Sequence, residues 1–314
     1  STRKMRRRAM NHCLAAVGDI PISQFDYHAA RKLQRYLVQG KIRNAVSANA
    51  YLRMLEPVFE LACYEGVLVG NENPLRMLRR LREPRKRVEI YAVPEVDAIL
   101  VACSRLRNSD SSRVWRTRIL LAVCAALRRS EALNLNVRDI DFERGEIWVC
   151  AKEETKQTWA WAVKDYEDRK VPCPKLLASQ LAEVIAELPA GQPYLSLTRR
   201  RYQGCQRLRR VGRWTEELAV TPDMNFQKPW QRICRTAGVR NRTFHGLRAT
   251  CISWWLQEGV PVQEVRELAG HSDIETTMRY YAAVRSDYIE RAGAATQRII
   301  GSKIGATGLE PATS

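Results

Sequence analysis

The sequence predicts a mostly α-helical chain with one small antiparallel β-sheet, divided into a short helical unit and a longer α+β unit. Three observations carry this. Apolar residues recur at helical spacing over most of the chain. A strand–turn–strand pattern occurs once, between residues 137 and 174. The 314 residues exceed the usual size of one domain, and a charged, proline-containing run near residue 80 separates two periodic blocks.

In chain order, residues 24–39 and 45–65 carry helical periodicity, with Gly40 and Gly66 as stops, and Asn73-Pro74 marks a turn. Residues 1–81 therefore form a small, basic, mostly helical domain. Residues 82–90 read as a basic linker. The run around it offers Arg79, Arg80, Arg82, Arg85, Lys86 and Arg87, suited equally to a solvated tether and to a clamp on a DNA backbone. A second domain, 91–290, starts with a helix over 93–103 that has Pro94 in its first turn. Residues 114–135 are apolar and helical until Arg128-Arg-Ser-Glu131 interrupts them. Strands follow at 137–142 and 147–150, and a third ends at Val171-Pro-Cys-Pro174. From 175 the pattern is helical again, with a looser polar insert around 197–225. Residues 286–300 suggest a last helix, packed on its own domain or exchanged between protomers, within a tail over 291–314 expected to be partly disordered.

Composition narrows the function. Lys and Arg number 52 against 34 Asp and Glu, a net charge of +18, and residues 1–90 hold 18 basic and 8 acidic residues. That excess favours a polyanionic partner, nucleic acid before an anionic membrane surface. No run of eighteen apolar residues occurs, and Ser-Thr-Arg-Lys4 lacks the apolar core of a secretory signal, so a soluble, cytoplasmic chain with no membrane partner is expected, nucleoid-associated in view of its basic charge. The nine cysteines form no C-x-x-C pair and read as reduced core thiols. No G-x-x-x-x-G-K-[ST] loop is present, so phosphate chemistry here runs without nucleotide energy.

Four histidines exist, at 12, 28, 245 and 271, and the last two sit among arginines and tyrosines. His245 and Arg248 are i and i+3 at the start of a helix, so they share a face beside an anion-favouring N-terminus. A helix over 262–269 stops at Gly270, His271 lies in the turn, and a new helix from about Ile274 presents Tyr280. Singly these residues are ordinary: a capping histidine, a surface arginine, a half-buried tyrosine. A zinc site from His245, His271 and Cys251 does not match a recognised ligand frame.

Four ordered boxes resemble the tyrosine recombinases, or phage-type integrases, over roughly residues 10–285. They are Ala125-Ala-Leu-Arg-Arg-Ser-Glu-Ala-Leu133, Arg169-Lys-Val-Pro172, His245-Gly-Leu-Arg248, and Leu268-Ala-Gly-His271 with Tyr280 nine residues on. Ala126 and Ala269 stand where the family usually has glycines, and Ala249 where a second histidine is common. The resemblance implies a SAM-like helical core-binding domain followed by a catalytic domain of the DNA breaking-rejoining type. It implies catalytic roles for Arg128, Lys164, His245, Arg248, His271 and Tyr280, with Glu131 in support. The lysine stays open between Lys164, Lys156 and Lys152; Lys164 is preferred for its eight-residue distance to Pro172. The implied activity is site-specific DNA strand exchange through a 3′-phosphotyrosine, without metal or other cofactor. The implied partners are double-stranded DNA attachment sites, a homo-tetramer on DNA, and an accessory DNA-bending or directionality factor. A type IB topoisomerase-like nicking-closing enzyme and a non-catalytic DNA-binding regulator are the alternatives. The start at Ser1 leaves room for an upstream arm-binding domain.

Overall fold

In the computed structural model the N-terminal segment forms three helices, α1 (Thr2–Val17), α2 (Tyr27–Gln39) and α3 (Ala45–Tyr64), the last two where the helical periodicity lies. The structure describes residues 2–284 except 41, 43, 69–71, 85–87, 107 and 165–167, together with 293–294 and 296–298. The chain divides into two units, residues 1–86 and 87–314. The expected last helix over 286–300 and the tail to 314 otherwise lie outside the described residues, as do Arg85, Lys86 and Arg87.

In the first unit, Asp26 caps α2 by accepting from the Ala29 amide at 2.8 Å, and Asn44 caps α3 through the Val46 amide at 2.9 Å. Leu33 and Leu37 of α2 meet Leu52, Leu55 and Phe59 of α3 in its core. Helix α1 is absent from the periodicity reading because only Ala9, Cys13 and Ala16 face inward. Small residues at i, i+4 and i+7 give a weak apolar signal among many charges. Buried Asn49 donates to the Leu81 carbonyl and to Glu83 at 2.9 Å each, so the first unit holds its chain into the segment expected as linker.

The second unit opens with α4 (Val93–Ser104), α5 (Ser109–Cys124) and α6 (Arg129–Asn134). The break after α5 falls at Ala125–Arg128, so the interruption expected over 128–131 begins three residues earlier, and Arg129–Glu131 already belong to α6. Strands β1 (Ile140–Asp141), β2 (Glu146–Val149) and β3 (Arg169–Pro172) form an antiparallel sheet in that order, with Ile147 opposite Val171 and Val149 opposite Arg169. Ile147, Val149 and Val171 face the core while Trp148 and Lys170 face outward, the alternation a one-sided sheet requires.

Helices α7 (Lys175–Ala186), α8 (Arg199–Arg210), α9 (Glu216–Val220), α10 (Gln227–Thr236), α11 (His245–Gln257), α12 (Val262–Ala269) and α13 (Ile274–Val284) complete the described chain. The segment 197–225, expected as a loose polar insert, is thus largely helical. Thr198 caps α8 by accepting from the Arg201 amide, and Tyr202 and Cys205 bury one face three residues apart. Its arginines hid that period. Trp115, Phe226, Trp230 and Phe244 pack together in the core of the unit, edge to face or tilted except for the stacked pair Trp115 and Trp230. Arg118, 1% exposed, holds the Ser196 carbonyl with two nitrogens and Asp223 with the third at 2.8 Å.

Candidate active site

Glu131 organises the site. It lies in the first turn of α6, is 2% exposed, and accepts from the Arg128 backbone amide at 2.7 Å and from Arg128 Nη1 at 2.8 Å. Arg169, arriving on β3, binds both of its oxygens at 3.0 and 2.7 Å. A buried carboxylate needs such partners, and two guanidinium forks supply them. Burial pushes the Glu131 carboxyl upward, but Arg169, Arg128 and Arg248 overcome it and hold it at about 2.

Each arginine also clamps a chain break. Arg128 Nη2 donates to the Gly270 carbonyl, and Arg169 Nε to the Leu268 carbonyl at 2.9 Å. Arg248, in the first turn of α11 and 1% exposed, donates through Nη1 to the Ala126 carbonyl and through Nη2 to that of Ala269 at 2.5 Å. Its Nε is buried with no hydrogen-bond partner among the described residues. Burial, with the Arg128 charge beside it, lowers Arg248 to about 9, still protonated at neutral pH.

Two backbone positions make these contacts fit. Gly270 ends α12 at φ +63°, and a Cβ there would meet Arg169 at 3.1 Å and Arg128 at 3.2 Å. Ala126 takes φ +50°, the left-handed region, at a cost of about 1–2 kcal/mol for a residue with a Cβ. A glycine there would avoid this cost.

His271 follows Gly270. Its Nδ1 lies 2.9 Å from Thr277 Oγ1, and its ring stacks on Tyr280 with centroids 5.9 Å apart and planes 15° apart. Burial, then the charges of Arg248 and Arg128, pull His271 down to about 3, so the ring is neutral at pH 7. Tyr280 is 8% exposed. Burial raises its phenol, while Arg248 and Arg128 act in the opposite direction. His245 opens α11 and is solvent-exposed; desolvation, Arg248 and Arg128 lower it, and Glu131 opposes them.

The three candidate lysines are distinct. Lys152 is 9% exposed and donates to Asp139 at 2.8 Å, to the Cys150 carbonyl at 2.8 Å and to Cys150 Sγ at 3.2 Å. Lys156 is exposed in the turn at 155–158 of the long β2–β3 connection. Lys164 is exposed, and its charge acts on His245. In the first unit, Arg79 and Arg82 are exposed, whereas Arg80 is half-buried and paired with Glu56. Arg169 and Thr277 are site residues that the spacing reading passed over. Arg169 was visible as the first residue of its box, and Thr277 as the position one helical turn before Tyr280.

Among the described residues, no three His, Cys, Asp or Glu side chains converge as a metal site. A cleft of about 550 Å³ adjoins Arg169 and His271, but Asp168, Glu264 and Glu267 also line it, a poor seat for a phosphate. The arginine side of Tyr280 is the anion-favouring side: two guanidinium groups, a neutral imidazole and a phenol gathered around buried carbonyls.

The model of the phage integrase family matches residues 92–286. The chain is 29% identical over 276 residues to a tyrosine recombinase XerC-like protein of Caldanaerobacter subterraneus subsp. tengcongensis, covering 81% of this chain and 66% of that one. It is 28% identical over 270 residues to the tyrosine recombinase XerA of Thermococcus kodakarensis, covering 83% and 84% of the two chains. Its fold is similar to that of the Tn1549 transposon integrase in complex with circular intermediate DNA, with a TM-score of 0.69 at 17% identity over 95% of this chain and 93% of that one.

Proposed function

The chain belongs to the phage integrase family, and from that premise we propose that it is a tyrosine-type site-specific recombinase that cuts and rejoins duplex DNA. The observation that carries the reading is that three remote segments bring together Arg128 and Arg248, beside the buried Glu131 carboxylate, and the stacked pair His271 and Tyr280, on which both guanidinium charges act.

The chemistry follows from the side chains. The Tyr280 oxygen attacks the phosphorus in line, the bond to the 5′-oxygen breaks, and a 3′-phosphotyrosine forms. Guanidinium groups of Arg128 and Arg248 stabilise the charge on the non-bridging oxygens, with permanent charge and fork geometry suited to a phosphoryl centre. His271 adds a neutral donor. His245, at the start of α11 and with its pKa lowered by desolvation and the neighbouring guanidinium charges, takes the phenol proton, and Lys164 protonates the departing 5′-oxygen. Lys152 is unsuited to that last role because its ammonium is already bound to Asp139. Reversal by a 5′-hydroxyl from another strand rejoins the DNA and releases Tyr280. Exchange between two duplexes needs four such sites, so a tetramer on DNA belongs to the proposal. Arg79 and Arg82 of the first unit add phosphate contacts.

Incubation with suicide DNA that releases a short 5′ fragment tests the reading. A covalent adduct that survives denaturation, is lost in Tyr280→Phe and persists in Tyr281→Phe is the expected result. No adduct across a library of candidate core sites would sink it. Crosslinking on DNA then separates a tetramer from a monomeric nicking-closing enzyme.

A further inference from the structure

Helix α8 carries charge that its own folding does not use. Arg199, Arg200, Arg207 and Arg210 are exposed, and at 3.6 residues per turn they project within an arc of about 100°. Gln203 is the other exposed side chain in that arc, and Arg213 continues it past the helix end. The opposite face is buried through Tyr202 and Cys205. None of these five arginines has an ion-pair or hydrogen-bonding partner for its side chain among the described residues. The nearby acids are engaged elsewhere: Asp110 pairs with Arg113 while accepting from the Arg199 backbone amide, and Glu154 pairs with Arg209.

The placement works against helix stability. Arg199 and Arg200 stand in the first turn, where the helix dipole disfavours cations, and no acid accompanies them there. Arg207 and Arg210 are like charges three residues apart. The last-turn arginines suit the dipole; the first-turn pair does not.

The helix is also firmly mounted. Tyr202 Oη donates to the carbonyls of Gln157 and Gly191 at 2.9 and 2.8 Å, and Gln206 donates to the Gln157 carbonyl at 2.9 Å. Arg209 holds Glu154 at 3.0 Å and the Thr155 carbonyl at 2.6 Å. Helix α8 and the long β2–β3 connection, the same connection that leads to Lys164, are thus fastened to each other.

We propose that the outer face of α8 is a further duplex-DNA surface, which binds backbone phosphates through Arg199, Arg200, Arg207, Arg210 and Arg213. The proposal rests on the recombinase reading for its choice of partner. The four helical arginines span about 16 Å along the axis, and a duplex presents a charge every ~1.7 Å of its own axis, so several phosphates fall within their reach. The arc lacks the apolar stripe that an interfacial membrane helix buries, Val211 at its edge being the one exposed apolar neighbour. It also lacks the aromatic or aliphatic anchors of a protein interface.

The test is the salt dependence of binding of the full chain to a random-sequence duplex, followed by fluorescence anisotropy. Each phosphate contact contributes a slope of ~0.9 in log K against log salt. R199Q/R200Q/R207Q/R210Q is expected to lower the slope by about 2–4 and weaken binding at least tenfold at moderate salt. The matching four-lysine variant is expected to recover most of the slope. Tryptophan fluorescence melts identify any variant that fails to fold, in which case R200Q/R207Q is read in its place, with a slope lower by about 1–2. A slope unchanged within 0.5 overturns the proposal, as does a loss seen only on anionic phosphatidylglycerol vesicles or on an acidic protein. The Tyr280 adduct on suicide DNA is measured in parallel at saturating protein. If wild type forms none, the recombinase reading fails, while the salt slope still decides what α8 binds.

Discussion

Glu131→Gln is the most informative single change, since one carboxylate neutralises a cluster of guanidinium groups. The folded protein holds Glu131 at about 2 against an ordinary 4.5. At ~1.36 kcal/mol per pH unit this difference is worth about 3 kcal/mol of folding free energy at neutral pH. Removing one partner from a buried ion cluster costs a similar amount, about 3–5 kcal/mol. The carboxylate is favoured in the folded state, so its contribution is complete above pH 4.5 and disappears as pH falls towards 2. All eight tryptophans, from Trp115 to Trp255, lie in the second unit, so their fluorescence reports the unfolding of that unit alone. Urea melts should show Glu131→Gln about 3 kcal/mol less stable at pH 7, with the gap narrowing below pH 4.5. Adduct formation should slow by roughly 10²-fold, because Arg128 loses the contact that orients it. A variant within 0.5 kcal/mol of wild type at pH 7, with the same acid profile, would refute the argument that Glu131 anchors the arginines.

Four further outcomes are expected. Lys164→Ala should slow cleavage by about 10²–10⁴-fold and recover on a 5′-phosphorothiolate substrate, whose sulfur leaves without a proton; Lys152→Met should instead lower stability by about 3 kcal/mol by stranding Asp139, read by thermal melts. Thr277→Val should slow adduct formation about tenfold, on the order of one lost hydrogen bond, with Thr277→Ser restoring it: a Thr277 hydroxyl that donates to Nδ1 holds the neutral His271 in the tautomer that donates from Nε2. In the free protein His271 should remain neutral at pH 5 by nitrogen-detected NMR. Its pKa is about 3 against an ordinary 6.5, so the unfolded chain binds that proton first and stability falls as pH drops through this range. A His271 titration near 6.5 would contradict the site's electrostatics.

The chain's local chemistry is legible because the proposed catalytic groups recur at short, fixed separations. His245 and Arg248 one turn apart, Arg128 with Glu131 in one cap, and His271 nine residues before Tyr280 are each short-range spacings, and the helix end at Gly270 is visible as a pattern change. Short spacing cannot reach further. That Arg169 and Arg128 share Glu131, and that Arg248 holds the carbonyls of Ala126 and Ala269, depends on contacts across 38, 122 and 21 residues. That Lys152 is bound to Asp139 depends on the path of the β2–β3 connection, which no period specifies. Likewise the arginine-rich segment 199–213 was legible as charge but not as helix, because only burial of Tyr202 and Cys205 reveals which face turns inward. Sequence alone determined the fold class and the four ordered boxes. Tertiary packing decided which charges are already neutralised within the fold and which remain exposed, because a charge's availability is set by its neighbours in space.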